Sequence, residues 1–472
     1  MGDSGSIGGG PVLVEPLGYD VGPEAAFDAF AGLRHAFFLD SGLPGPRLGR
    51  FSFLGAEPSL VVSAKGRAIR LWEDGVARDL QANPLAFLRS LLQQHRVSAG
   101  RGPVPFVGGF VGYLGYDLCH FVERLPRTAC DDIGLPDMHL ALYDRVAAYD
   151  HAAGRWYAAS ICGEEGLAAV DAVLASAAAR RGSGGAAGEA VASVGPLRAN
   201  FTREAYLAAI GRAKEYIAAG DIFQVNLSQR FETRVVVPPA ELYRRLRRAN
   251  PAPFAAYLAL DSHGAAVLSS SPERFLKVTG RHVETRPIKG TRPRGRCADD
   301  DRRLAAELAA SAKDSAELTM IVDLERNDLG RVCDYGSVAV TEHKAVEAYA
   351  SVFHLVSTVE GDLHEGHDLV DLVKATFPGG SITGAPKIRA MEIIDELEPT
   401  QRSVYTGSIG YLGLDGAMDL NIAIRTILVR GDRAFFQVGG GIVADSDPAA
   451  EYEETLHKGR RLFAALGLSC DA

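Results

Sequence analysis

An α+β fold, with mostly antiparallel sheets and helices packed outside them, is what three observations in the sequence predict. Strand-like runs recur near 265–270, 281–286, 336–341, 351–359, 408–413, 419–429 and 434–438. Some are joined by short turns such as Leu414-Asp415-Gly416 and Arg430-Gly431-Asp432, which favours hairpins. Helical patterns near 300–330, 386–398 and 448–466 lie between or after these runs, which fits segregated helices better than a doubly wound parallel sheet.

At 472 residues the chain suits two or three ordinary domains or one large bilobed one. The clear compositional break is "ARRGSGGAAGEAVASVGP", residues 179–196, which reads as a flexible link between an N-terminal lobe, 1–178, and a C-terminal lobe, 197–472. The C-terminal lobe opens with a helix that Thr202 caps and Gly220 ends, with Leu207, Ile210, Ala213 and Ile217 at helical spacing. A strand follows in "IFQVNLSQRF", where Phe223, Val225 and Leu227 share one face and Gln224, Asn226, Ser228 and Arg230 the other. That polar face is unusually consistent.

The formal net charge of −9 argues against a generic nucleic-acid binder. Six cysteines without a CxxC pair imply neither a disulfide framework nor a zinc site, which points to a reducing cytoplasm. The start, "MGDSGSIGGG", reads as a frayed Gly/Ser terminus rather than a signal peptide, and no run of ~18 apolar residues predicts a membrane span.

Four segments carry candidate chemistry. In "SDPAAEYEETLHKG", Asp447 caps a helix that sets Glu451, Glu454 and Lys458 along one face, either as a solvated ion-paired surface or as a functional acidic face. In "SAKDSAELTMIVDLERNDLGR", Glu317 borders the apolar stripe of a helix while Asp314 and Glu325 fall on its outer face. Two carboxylate clusters brought together would need a divalent cation, and few carboxylates with room for water suit Mg²⁺. "FPGGSITGAPK" lacks the spacing of a phosphate loop. The glycines of "QVGGGIVADS" let bare amides approach an anion, or else mark a bulge or strand exit. Arg425, in the predicted strand "DLNIAIRTILV", is either a carboxylate clamp or an arginine on the wet side of a sheet. Lys289 sits in "ETRPIKGTRPRGR" among four arginines that disfavour its charge, and partial burial would add to that, so it reads as a nucleophilic amine or as part of a solvated basic loop.

Taken together, "GDIFQVNLSQRF", "SSSPERFL", "RPIKGTRPRG", "KDSAELTMIVDLERNDLGR", "FHLVSTVEG", "FPGGSITGAPKIRAMEIIDELEP", "YTGSIGYLG", "DLNIAIRT" and "GGGIVADSDPAAEYEET" resemble the chorismate-utilising enzymes. That family comprises anthranilate synthase component I, aminodeoxychorismate synthase component I, isochorismate synthase and salicylate synthase. The resemblance implies a large two-lobed sandwich of antiparallel sheets. It also implies that Gln224, which stands where water-adding members carry a lysine base, disfavours isochorismate and salicylate synthesis. Anthranilate synthases typically read "PIAGT", so "PIKGT" implies the aminodeoxychorismate branch, in 4-aminobenzoate and folate synthesis.

By the same resemblance the Lys289 amine attacks C2 of chorismate while Glu273 protonates the departing C4 hydroxyl, and ammonia then displaces the lysine from C4. Glu317 and Glu454, with Glu451 near them, are implied Mg²⁺ ligands, and Gly290 and Thr291 lie close to the metal-held carboxylate. Tyr405, Arg425 and the amides of Gly439 and Gly441, helped by Lys458, are implied to grip the enolpyruvyl carboxylate. His354 would sit by the leaving group, and Ser381 and Thr383 would line the ring. A separate glutamine amidotransferase subunit, component II, would supply the ammonia. In the N-terminal lobe, "FFLDSG" resembles a segment of the tryptophan pocket of relatives, with Asp40 and Ser41 as its candidate residues. The alternatives are an anthranilate synthase component I and a non-catalytic chorismate-binding subunit.

Overall fold

The computed structural model of the chain describes residues 12–43, 45, 48–73, 75–98, 102–180, 192–349 and 352–468. Its frame is two sheets of twelve strands each, and all the strand pairings are antiparallel. The α+β expectation holds. Residues 1–11, residues 181–191 of the predicted link and Cys470 lie outside the described residues. Among the described residues no helix is long and apolar enough to cross a membrane.

Both sheets run across the predicted link. In the first, Phe37–Asp40 pairs with Phe254–Leu260, and Ser193–Ala199 pairs with Gln224–Val235, so residues 193–196 are strand and not linker. In the second, Ser408–Gly413 pairs with Gly109–Leu114. The composition break at 179–196 therefore marks a change in the chain, not a gap between sheets.

Local signals place most elements. The Thr202 hydroxyl accepts from the Ala205 amide to start the helix Arg203–Ala219, and Gly220 ends it in the left-handed conformation at φ +83°. Asp447 does the same for Pro448–Ala465 by accepting from Ala450. Two expectations are corrected. The helix predicted over 300–330 is two, Ala298–Ala310 and Ala312–Gly330, because Ser311 leaves helical geometry and caps the second by accepting from Asp314. The continuous strand predicted over 419–429 is Met418–Asn421 and Thr426–Arg430, interrupted where Arg425 takes φ +52°.

Three buried or half-buried histidines join the sheets. The Ser63 hydroxyl lies 2.9 Å from His139 Nδ1 and 2.9 Å from His263 Nε2, and the rings of His35 and His139 are 6.1 Å apart. Burial lowers the pKa of all three; His263 and His35 add to this at His139, Arg430 adds to it at His263, and Asp261 opposes it at His35. A histidine with a lowered folded pKa stabilises fully above its unfolded value, and that stability is lost as pH falls below ~6.5. Their share of the stability is expected to fall between pH 7 and pH 5, with His139 alone giving up to ~1.4 kcal/mol per pH unit, against the opposite contribution of buried carboxyls such as Glu273 and Asp117. A His139→Asn variant melted over the same range should lose less stability toward pH 5 than the wild type.

Candidate active site

Lys289 lies on the strand Ile288–Pro293, paired with Val352–Asp362, and the register slips between Lys289 and Thr291. Gly290 makes the slip possible: its φ is +74°, and a Cβ there would sit 2.9 Å from the Asp314 Cβ on the helix Ala312–Gly330. The strand and the acidic helix can therefore touch. The Lys289 ammonium donates to the Ser381 carbonyl at 3.1 Å, and the Asn226 side chain donates to the same oxygen at 3.5 Å. Burial lowers the Lys289 pKa, with Lys458 adding to this, while Glu317, Glu273 and Glu454 oppose it.

Of the two causes the sequence suggested, the arginine run and partial burial, burial is the one the structure shows. Arg286 is paired with Glu347 at 2.5 Å, Arg292 with Glu307 and Asp314, and Arg294 with Asp301. Their charges are matched locally, which leaves burial as the dominant effect on the amine.

Glu273 follows the strand Ala265–Ser271, with its backbone oxygen accepting from the Ile422 amide at 3.0 Å. Its carboxyl is buried and accepts from the Ile288 amide at 3.4 Å. Burial pushes its pKa up to about 7, with Lys289 opposing. A carboxyl in that range can hold a proton near neutrality and release it. Glu325, expected on an outer face, is instead buried, where Thr285 donates to it at 3.1 Å. Burial and the neighbouring Glu273 push its pKa well up.

Glu451, Glu454 and Lys458 project from Pro448–Ala465 onto Gly440 of the strand Arg433–Ile442. A Cβ on Gly440 would lie 3.3 Å from Glu451 Oε2, 3.7 Å from Lys458 Nζ and 3.9 Å from Glu454 Oε1. Lysines interleave with the carboxylates: Lys458 lies 2.7 Å from Glu454 and Lys313 lies 3.7 Å from Glu451. Burial would raise the pKa of Glu454, but Lys458 and Lys313 hold it below the usual range. Burial raises that of Glu317, against Lys289 and Lys313. Carboxylate oxygens are the donors Mg²⁺ prefers, but Glu451 and Glu454 are each paired with a lysine here. Among the described residues no three acidic, histidine or cysteine side chains converge closely enough to hold an ion.

The remaining predicted residues surround the same cleft. Arg425, far from the wet face of a sheet, is half-buried, and burial lowers its pKa while Tyr405 opposes. Among the described residues it has no acidic partner within ion-pair distance. A non-glycine residue at φ +52° carries strain that the fold must hold in place, as is common at binding sites. His354 accepts from or donates to the Thr291 hydroxyl at 2.9 Å, and burial, then Arg425, push its pKa down to about 4. The imidazole is therefore neutral. The Thr383 hydroxyl is engaged by the Gly379 carbonyl at 3.0 Å. The strand Thr426–Arg430 pairs with Arg433–Ile442 only as far as Phe436, so among the described residues Gly439 and Gly441 have Gln224–Val235 on one side and no strand on the other. Gln224 packs against Gly441, and its Oε1 is buried without a protein partner. Lys458 donates to the Gly439 carbonyl at 3.1 Å.

Asp40 and Ser41 line a separate cavity of about 280 Å³ with Arg50, Phe51, Arg274 and Asn421. The Ser41 hydroxyl donates to the Phe51 carbonyl at 2.6 Å. The Asp40 carboxylate is already held by Arg247 at 2.6 Å and by the Tyr243 hydroxyl at 3.0 Å. Removing Arg247 by an Arg247→Ala change leaves that buried acid uncompensated and is expected to cost about 3–5 kcal/mol in a denaturant titration.

Sequence reasoning missed Glu398 and Arg402. Both are buried, and they form a bidentate pair at 2.9 and 2.7 Å. Their spacing of four residues in "ELEPTQR" was the available signal.

The chain and its two-sheet frame are similar to known proteins. Residues 36–464 match the chorismate binding enzyme family, and the chain belongs to it. It is 40% identical over 449 residues to anthranilate synthase component 1 of Cereibacter sphaeroides, covering 91% of this chain and 88% of that one. It is 39% identical over 443 residues to aminodeoxychorismate synthase component 1 of Bacillus subtilis, covering 92% of each. The crystal structure of anthranilate synthase component I from Streptococcus pneumoniae superposes with a TM-score of 0.75 at 33% identity, covering 90% of this chain and 93% of that one. The protein is therefore a chorismate-utilising enzyme of the anthranilate and aminodeoxychorismate synthase component I type. Overall identity does not separate the two activities.

Proposed function

We propose that the chain aminates chorismate at C4, giving 4-amino-4-deoxychorismate by way of a covalent adduct on Lys289, for 4-aminobenzoate and folate synthesis in the cytoplasm. The observation that carries this reading is the Lys289 amine, whose charge burial disfavours and which stands within electrostatic reach of a carboxyl with a pKa of about 7. In the first displacement the free amine bonds to C2, both ring double bonds shift, and the C4 hydroxyl leaves as water with the Glu273 proton. In the second, ammonia bonds to C4 and the lysine nitrogen leaves C2. Two allylic steps replace one hindered substitution. Arg425 and Tyr405, with the Gly439 and Gly441 backbone, hold the enolpyruvyl carboxylate, while neutral His354 and the Ser381 and Thr383 region flank the ring. Glu317, Glu451 and Glu454 would hold Mg²⁺, which when bound offsets the charge of a substrate carboxylate. Relatives named as component 1 support a separate component 2, here a glutamine amidotransferase that supplies ammonia.

A second reading, amination at C2 to anthranilate, is supported by relatives of that name at the same identity. Incubating the pure protein with chorismate, Mg²⁺ and ammonium decides between them. A product that added 4-amino-4-deoxychorismate lyase converts to 4-aminobenzoate supports the first reading; fluorescent anthranilate formed directly overturns it.

A further inference from the structure

The fully buried Arg402 guanidinium touches three walls of the cleft at once. It donates to the Asn226 carbonyl at 2.6 Å on the strand Gln224–Val235, to the Ile382 carbonyl at 3.0 Å in the 380–382 turn, and to the Thr406 hydroxyl at 3.3 Å. It also lies over the rings of Tyr116, at 4.9 Å, and Tyr405, at 5.8 Å. Glu398 holds two of its nitrogens, and the same carboxylate accepts from the Ser228 amide at 2.8 Å and hydroxyl at 2.9 Å. The carbonyl beside Ile382 belongs to Ser381, which receives both the Lys289 ammonium and the Asn226 amide. Arg402 therefore grips Ile382, the residue after the carbonyl that Lys289 donates to, and Asn226, the second donor to that carbonyl, without touching the lysine. A planar five-donor fork can span these carbonyls; a single ammonium cannot.

We propose that Arg402, locked by Glu398, is a positioning residue that sets the Ser381–Thr383 turn against the strand Gln224–Val235 and so aims the Lys289 amine. This rests on the reading of Lys289 as nucleophile.

The test compares the wild type with Arg402→Lys and with the double variant Glu398→Gln, Arg402→Met. The double variant removes both buried charges together, which cores commonly tolerate, so it guards against a single variant that fails to fold. Two readouts are taken on folded protein: the pH dependence of Lys289 labelling by trinitrobenzenesulfonate, and steady-state amination with ammonium. Loss of the turn's alignment leaves the amine free to move toward water. The labelling midpoint should rise by about one pH unit, and kcat should fall at least about tenfold while KM stays within about threefold. An unchanged labelling profile in either folded variant overturns the proposal, as does a loss confined to KM or to melting temperature. If wild-type protein forms no lysine adduct with chorismate, the nucleophile reading fails on its own, and the labelling profiles still decide whether Arg402 aims the amine.

Discussion

Changing Lys289 to alanine is expected to cut amination of chorismate by about 10³-fold, equivalent to about 4 kcal/mol of lost barrier lowering. The amine has no substitute. Lys458 lies across the cleft but is engaged by Glu454 and the Gly439 carbonyl, and Lys313 is half-exposed beside Glu451. The fold should survive the change, because Ser381 keeps the Asn226 donor and a half-buried cation is removed rather than added. Ammonium-dependent steady-state rates, with a thermal melt as control, provide the check. Wild-type turnover in Lys289→Ala would remove the lysine from the reaction.

The second large effect belongs to Glu273→Gln. Glutamine keeps an oxygen for the Ile288 amide but cannot deliver a proton, so turnover should drop by about 10²–10⁴-fold. Wild-type activity should decline as pH rises past about 7, where Glu273 loses its proton. The variant should lack the alkaline limb. Stability moves the opposite way. With a folded pKa of about 7 against an ordinary 4.5, wild-type Glu273 destabilises the fold progressively as pH rises from 4.5 to 7. Above pH 7 the variant should therefore be the more stable protein, by up to roughly 3 kcal/mol, and below pH 4.5 the two should match. A buried acid held at that cost to stability fits the usual trade between activity and stability if it serves as the proton donor proposed above.

The elements most legible in the sequence are those written in local chemistry. Thr202, Gly220 and Asp447 mark helix ends through caps that depend on near neighbours only. The alternation in "IFQVNLSQRF" correctly separated Gln224, Asn226 and Ser228 from the apolar face, yet it could not show that the polar face is itself buried under the 380–385 turn and Arg402. Glu325 was misplaced for the same reason. Helical phase sets it apart from the stripe, but the strand His282–Arg286 covers that side, which no spacing within the helix reveals. Arg425 was read onto a regular strand because its neighbours alternate, and that alternation carries no signal of its positive φ. The disfavoured charge of Lys289 was attributed first to adjacent arginines, with partial burial adding to it, but the acidic partners of those arginines lie 7 to 61 residues away in sequence. Burial, a property of the assembled cleft, carries that shift. Glu398 and Arg402 fall between these cases: their i, i+4 spacing is visible, while the three walls they tie together are not.

Intact-mass analysis of the protein mixed with chorismate and Mg²⁺ in the absence of ammonium tests the nucleophilic lysine most directly. A species heavier by chorismate less one water, mapped to the peptide carrying Lys289, discharged by ammonium and missing from Lys289→Ala, is the predicted result. Rapid amination on adding ammonium to protein that never carries such a species, with Lys289→Ala equally active, would contradict it.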